Sequence, residues 1–124
     1  MHKTAISWVM LIAWCSLIFF LSSLPTIETP FTIWWDVLAK KTAHFIEYAV
    51  LCLLTYRALY RTNHQYALAI SIIFSIVFAI SDEFHQGFIP GRHPALYDIM
   101  IDSIGTLASA WFITTYKHFA LKFL

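Results

Sequence analysis

Two segments of the sequence combine side chains that transfer protons with side chains that bind anions. The first reads KKTAHFIEYAVL from Lys40 to Leu51, and the second reads SDEFHQGFIPGR from Ser81 to Arg92. Imidazoles beside carboxylates are the composition used for general acid–base chemistry, and Lys and Arg side chains neutralise phosphate or carboxylate groups. Further carboxylates follow the second segment, so the sequence predicts a polar site with both kinds of group.

We assign the predicted site residues three kinds of role. The candidate acids or bases are His44, Glu83 and His85. The candidate ligand contacts are Lys41, Glu47, Tyr48, Gln86 and Arg92. The candidate orienting partners, or metal ligands, are Asp82, Asp98 and Asp102.

A divalent metal is an open alternative at this site. The His, Asp and Glu side chains of both segments are types that ligate such ions. No dedicated metal-binding motif such as HExxH occurs in the chain, so the cofactor is left unassigned.

Arg92 follows Pro90 and Gly91 and is therefore expected in a loop. Its planar guanidinium suits the phosphate of an anionic headgroup. The competing interpretation is an internal ion pair with Asp82 or Asp98, and the sequence does not separate the two.

The composition predicts a membrane protein. The chain has 124 residues, of which 60% are hydrophobic and only 12% charged, about half the 25% charge content of ordinary soluble domains. Disorder is excluded as well, because unfolded chains combine low hydrophobicity with high net charge. The net charge of +1 argues against a nucleic-acid partner.

A helix crosses the hydrocarbon core of a bilayer with about 20 residues, so four crossings use nearly the whole chain. We predict a single all-α domain over residues 1–124, an integral membrane bundle of four transmembrane helices at about 5–24, 37–60, 65–86 and 96–116. The first helix is expected to be a retained anchor. The alternative is a cleaved signal, for which the segment LSSLPT offers no A-x-A-like site.

The second and fourth helices each carry a polar stripe. At about 100° per residue, five side chains of the second helix fall within an arc of about 120°, namely Lys40, Lys41, His44, Glu47 and Tyr48. Asp98 and Asp102 share one face of the fourth helix, above Gly105 and Ser109. These two small residues predict a close approach by a neighbouring helix. The stripes indicate helices that line a cavity, because ionisable groups at membrane depth face protein or water.

The distribution of charges predicts the orientation. Lys and Arg residues favour the cytoplasmic side of a membrane. With the N-terminus inside, five of them are cytoplasmic and three are outside. All seven acids then fall in the outer loops or the outer halves of helices. We therefore expect both termini in the cytoplasm and the polar site at the outer face.

The chain resembles the VanZ-like family of small bacterial membrane proteins. Three blocks carry the resemblance: FFLSSLP from Phe19 to Pro25, the K-x-x-H-F-x-x-Y element from Lys41 to Tyr48, and SDEFHQGFIPGR followed by Asp98. Where the family commonly has Asn, this chain has Asp102. The resemblance implies a multi-pass protein of the bacterial inner membrane. The founding member is linked to low-level resistance to teicoplanin, and no established reaction comes with the family.

Two functional hypotheses follow. In the first, the outer cavity binds or modifies an anionic lipid or a lipid-linked cell-envelope intermediate, and any catalysis is hydrolysis or transfer at a phosphate. In the second, the protein is a non-catalytic scaffold or an accessory subunit of an envelope enzyme, and a homodimer is compatible with either. A proton or ion pathway is disfavoured, because the inner halves of the helices lack an ionisable relay.

Overall fold

A computed structural model describes residues 2–25, 34–62 and 65–117. These residues form four helices and no strand: α1 (His2–Ser22), α2 (Trp34–Tyr60), α3 (Ala67–Gln86) and α4 (Leu96–Thr115). The prediction of an all-α chain with four helices is confirmed. Glu28 and Lys122, which the orientation argument counts, lie outside the described residues.

The helix bounds differ slightly from the predicted ones. α1 ends at Ser22, two residues early, because the residue before Pro25 disfavours the helical conformation. α2 begins at Trp34, three residues early. The segment from Trp34 to Asp36 contains no helix breaker, and Asp36 complements the positive end of the helix dipole.

Three helices, α1, α3 and α4, are long and apolar enough to cross a membrane. α2 does not meet that criterion, because its first half carries the charged stripe. It packs against each of the other three helices and is the central element of the bundle. The most polar helix therefore contacts all three of its neighbours, although the side chains of its first two turns, from Trp34 to Lys40, are exposed.

The surface and interior of the bundle are the inverse of those of a water-soluble domain. Large apolar side chains are exposed along the outer faces, including Val9, Ile12, Ile73 and Trp111. Polar side chains are buried between the helices, including Ser71, Ser75, Asp102 and Thr106. This distribution suits an apolar solvent, in which exposed hydrophobic surface carries no cost.

Gly105 brings α4 against the backbone of α2. A Cβ atom at this position would overlap the carbonyl oxygen of Phe45 and lie 3.1 Å from its carbonyl carbon. Ser109, one turn further along α4, is also buried. The close approach predicted from these two small residues is confirmed, and it sets the distance between the polar stripes of α2 and α4.

The four helices run alternately up and down, so the carboxyl ends of α1 and α3 lie beside the amino ends of α2 and α4. We call this the polar end of the bundle. The contact of Ser23 with His85 joins the first two ends. The bond from Arg92 to the Leu21 carbonyl joins α1 to the loop before α4. The ion pair of Lys41 with Asp98 joins α2 to α4. At the opposite end, Arg57 donates to Ser7 Oγ at 3.2 Å, and Lys117 lies over the Tyr60 ring. An apolar core of α1, α2 and α3 residues separates the two ends.

Candidate functional site

The alternating helices place ten of the eleven predicted site residues in the polar half of the bundle, whereas Tyr48 lies in the apolar core. They do not form one pocket. They divide into a cavity between α1, α2 and α3, a pair of contacts between α2 and α4, and contacts at the ends of α1 and α4.

The cavity between α1, α2 and α3, which we call the headgroup cavity, has a volume of about 130 Å³. Five of the predicted site residues line it, namely His44, Glu47, Asp82, Gln86 and Arg92. The rest of the lining consists of Lys40, Ser22 and three apolar side chains, Ile18, Leu21 and Ala43. Leu21, Lys40 and Ala43 are exposed. The cavity is therefore open on the side between α1 and α2.

His44 connects this cavity to α4. Its Nδ1 donates to Asp102 Oδ1 across 3.2 Å, and Asp102 is completely buried behind it. Asp102 Oδ2 has no hydrogen-bond partner within the described part of the chain. Because Nδ1 is hydrogen-bonded to the carboxylate, the other ring nitrogen of His44 is free to exchange a proton with a group in the cavity. A general acid or base and its orienting partner have this arrangement.

Asp82, Gln86 and Arg92 form a chain of hydrogen bonds along one wall of the cavity. Gln86 Nε2 donates to Asp82 Oδ2 at 2.8 Å, and Arg92 Nη1 donates to Gln86 Oε1 at 3.4 Å. Asp82 Oδ1 is buried and has no partner among the described residues. The wall thus carries an unsatisfied carboxylate oxygen at its deeper end.

Arg92 also caps the carboxyl end of α1. Its Nη2 donates to the Leu21 carbonyl at 3.0 Å, and its Nε donates to the Leu24 carbonyl at 3.2 Å. Neither open interpretation of Arg92 included this contact. A cation at a helix carboxyl end stabilises the unpaired carbonyls and the negative end of the dipole.

Lys41 lies outside the headgroup cavity. It forms an ion pair with Asp98 and lies over the Tyr97 ring, with Nζ 5.4 Å from the ring centroid. Lys40 is the residue that lines the cavity instead. Its position in the polar stripe was a signal for this role, but the sequence did not show which lysine faced which neighbour.

Three further predicted residues, Glu83, His85 and Tyr48, also lie outside the headgroup cavity, each in a different place. Glu83 Oε2 accepts the Ala95 backbone N–H at 2.9 Å, at the start of α4. The His85 ring stacks on Phe19 with centroids 4.4 Å apart and is hydrogen-bonded to Ser23 Oγ at 2.9 Å. Tyr48 is completely buried in the apolar core.

No metal centre is formed by the described residues. Among residues 2–25, 34–62 and 65–117, no group of three or more His, Cys, Asp or Glu side chains is arranged to hold a metal ion. Asp82, Asp98 and Asp102, the candidate metal ligands, belong to no such group in the described part of the chain.

A family model described as VanZ/LLP1 matches residues 7–117. The match covers every candidate site residue and nearly all of the four helices. No curated protein and no solved structure matches the chain.

Proposed function

This chain belongs to the VanZ/LLP1 family, and from its geometry we propose that it binds the anionic headgroup of a membrane lipid or a lipid-linked cell-envelope intermediate. The observation that carries this proposal is that Lys40, His44 and Arg92 line one small cavity open between two helices. Lys and Arg side chains are the groups that proteins use to bind phosphate.

The charges in the headgroup cavity are arranged in layers. Lys40 lies about 10 Å along α2 from Glu47, and His44 lies between them. On α3, Gln86 lies about 6 Å beyond Asp82, and Arg92 follows in the loop. The cations therefore stand at the mouth and the carboxylates at the floor. A phosphate is attracted to the mouth, while the groups suited to proton transfer lie below it.

The size of the cavity favours a headgroup over a whole small molecule. Its volume of about 130 Å³ is well below the 300–1,000 Å³ or so of typical small-molecule pockets. Leu21, which is exposed, forms an apolar edge on the α1 side, along which an acyl or polyprenyl chain can lie. A lipid with its phosphate inside and its chain in the bilayer fits these dimensions.

We propose that all four helices cross the bacterial inner membrane, with both termini in the cytoplasm and the polar end outward. α2 has 27 residues and is about 40 Å long, which exceeds the hydrocarbon core by about 10 Å. An overhang at the polar end places Lys40 near the headgroup layer.

Tolerance to teicoplanin, which the family resemblance implies, is then one consequence of lipid capture at this face.

The contact between His44 and Asp102 favours a second candidate, hydrolysis or transfer at the bound phosphate. A water or alcohol oxygen attacks phosphorus, and its proton passes to the free ring nitrogen of His44. The bond from phosphorus to the leaving oxygen breaks, and that oxygen takes the proton back from His44. Asp102 is a positioning residue in this scheme, since its one side-chain hydrogen bond within the described residues is to the histidine.

The binding proposal is tested by native mass spectrometry from a mild detergent, with phosphatidylglycerol and a polyprenyl phosphate as probes. Lys40 forms no ion pair within the described residues, so Lys40→Ala removes a charge with little structural change. We expect it to reduce anionic-lipid retention about tenfold, the effect of one charge-assisted contact. Lys3→Ala, at the opposite end, is the matched control. Equal retention by both variants would contradict the proposal.

The scaffold alternative is favoured by a different observation: several polar residues serve the bundle itself. Arg92 caps α1, Glu83 accepts a hydrogen bond at the start of α4, and Lys41 pairs with Asp98. Arg92→Lys shortens and weakens the cap. Under the scaffold alternative, this variant loses protein abundance or partner capture, while Lys40→Ala and His44→Gln change neither lipid retention nor glycopeptide tolerance.

A further inference from the structure

A second cavity lies on the other side of α3, where the loop after Gly87 leads into α4. Its volume is about 350 Å³, within the range of about 300–1,000 Å³ found for ligand pockets. It shares no lining residue with the headgroup cavity. We call it the loop cavity, and its lining is Ile80, Glu83, Phe84, Gly87, Phe88, Pro94, Ala95, Leu96 and Ile99.

Glu83 is the one charged residue in this lining, and it is 3% exposed. Its Oε2 accepts the backbone N–H of Ala95, which is itself part of the wall, so the carboxylate lies at the cavity boundary. Its Oε1 is buried and has no hydrogen-bond partner among the described residues. A carboxylate offers about four acceptor positions, and a buried one without donors carries a large desolvation cost.

The rest of the lining is apolar and has no cation to neutralise Glu83. Phe84, Phe88 and Leu96 are 72%, 71% and 82% exposed, so the cavity is open to the surroundings of the bundle at the polar end. Phe84 and Phe88 contact each other edge to face, with centroids 5.2 Å apart. Aromatic faces attract cations. The missing partner is therefore a positively charged hydrogen-bond donor on an apolar body.

We propose that the loop cavity binds a phospholipid whose headgroup carries a primary ammonium, such as phosphatidylethanolamine. The ammonium donates a hydrogen bond to Glu83 Oε1, and the Phe84 and Phe88 rings line its approach. The acyl chains leave the cavity past Leu96 into the bilayer. A quaternary headgroup has the same charge but no N–H, so the site discriminates against phosphatidylcholine.

The test is a competition between phosphatidylethanolamine and phosphatidylcholine with identical acyl chains, measured on the full chain by native mass spectrometry. We expect the wild-type protein to retain the primary amine about tenfold more strongly, as for one charge-assisted hydrogen bond. In Glu83→Gln the amide oxygen still accepts the Ala95 N–H, but the charge is gone. We expect the ratio to fall to near unity. No preference in the wild type, or an unchanged preference in Glu83→Gln, would overturn the proposal.

Two further variants separate this site from general effects. Asp36→Asn removes an exposed carboxylate at the same end of the bundle and is expected to keep the wild-type ratio. Ala95→Leu keeps both Glu83 and the backbone N–H but fills the cavity, and is expected to lower phosphatidylethanolamine retention. Circular dichroism checks that each variant keeps its helix content. Wild-type retention by a folded Ala95→Leu variant contradicts the proposal even where Glu83→Gln does not fold.

Discussion

Asp102 on α4 holds His44 on α2, with Asp102 Oδ1 3.2 Å from His44 Nδ1. The side chain of Asp102 has no exposed surface, whereas that of His44 is 14% exposed and reaches the headgroup cavity. The contact therefore runs from the interior of the bundle to its candidate site. It couples the packing of α2 and α4 to the orientation of the imidazole.

A double-mutant cycle measures this coupling. His44→Ala leaves a fully buried carboxylate without its partner, so we expect it to lower the free energy of unfolding by about 3–5 kcal/mol. The double variant with Asp102→Ala removes the stranded charge and is expected to recover about 1–3 kcal/mol relative to additivity. Reversible unfolding in mixed detergent micelles supplies the free energies. Additive effects would show that the two residues do not interact in the folded protein.

The ion pair between Lys41 and Asp98 can be compared with the contact of His44 and Asp102, because it joins the same two helices but is more exposed. Its side chains are 28% and 12% exposed. Exposed ion pairs typically contribute about 1 kcal/mol or less to stability. The side chains of Lys41 and Asp98 are more exposed than those of His44 and Asp102, so their pair resembles an exposed one more closely. We therefore expect a smaller coupling energy for Lys41→Ala with Asp98→Ala. A coupling larger than that of His44 with Asp102 would contradict the burial argument.

Gly105→Ala is expected to destabilise the bundle by about 1–3 kcal/mol, as overpacking does. The added methyl group meets the backbone of Phe45, which cannot rotate away. Ser109→Ala, one turn along the same face, removes an atom instead of adding one and is expected to cost about 1 kcal/mol or less. Thermal unfolding of the purified variants gives the comparison. A Gly105→Ala protein as stable as the wild type would refute the close approach of α2 and α4.

The two site histidines are expected to be opposite tautomers when neutral. His44 Nδ1 faces a carboxylate and must carry the proton. Ser23 Oγ donates its single proton to the Phe19 carbonyl at 2.7 Å, so His85 Nε2 must donate to Ser23. Nitrogen-15 chemical shifts of labelled histidine, assigned with His44→Gln and His85→Gln, distinguish the two forms. Identical tautomers would show that one of these contacts is absent.

The proposed topology is tested with alkaline phosphatase fusions, which are active only outside the cytoplasm, where their disulfides form. A fusion after Gly91, at the polar end, is expected to be active. A fusion after Thr62, at the opposite end of α2, is expected to be inactive. The reverse pattern would place the polar end in the cytoplasm and would rule out capture of an outer-leaflet lipid.

The division of the α2 stripe shows how far helical periodicity alone could predict the site. At about 100° per residue, His44 and Glu47 lie within about 40° of Lys40, whereas Lys41 and Tyr48 lie about 80–100° away from it. The structure follows this line only in part: Lys40 and Glu47 line the headgroup cavity and Lys41 faces α4, but His44 both lines the cavity and contacts Asp102 on α4. Tyr48 lies in the apolar core of α1, α2 and α3. Periodicity gave the angles, but the positions of α1 and α4 around α2 decided what each side chain meets.

The contacts of Arg92, Glu83 and His85 could not be predicted in the same way. In each contact the side chain bonds to the end of another helix, as Arg92 does to the Leu21 carbonyl of α1. The sequence shows that such residues are polar and costly in a membrane. It does not show which unpaired backbone groups lie beside them.

The sequence by itself determined the elements of this protein: the all-helical chain, the family, and the collection of polar residues at one end, since hydropathy, periodicity and motif spacing are properties of the chain. Only the tertiary structure decided that these residues divide between two cavities and several helix ends. The physical reason is that a helix fixes the directions of its own side chains, whereas their partners are set by how closely and at what angle neighbouring helices pack.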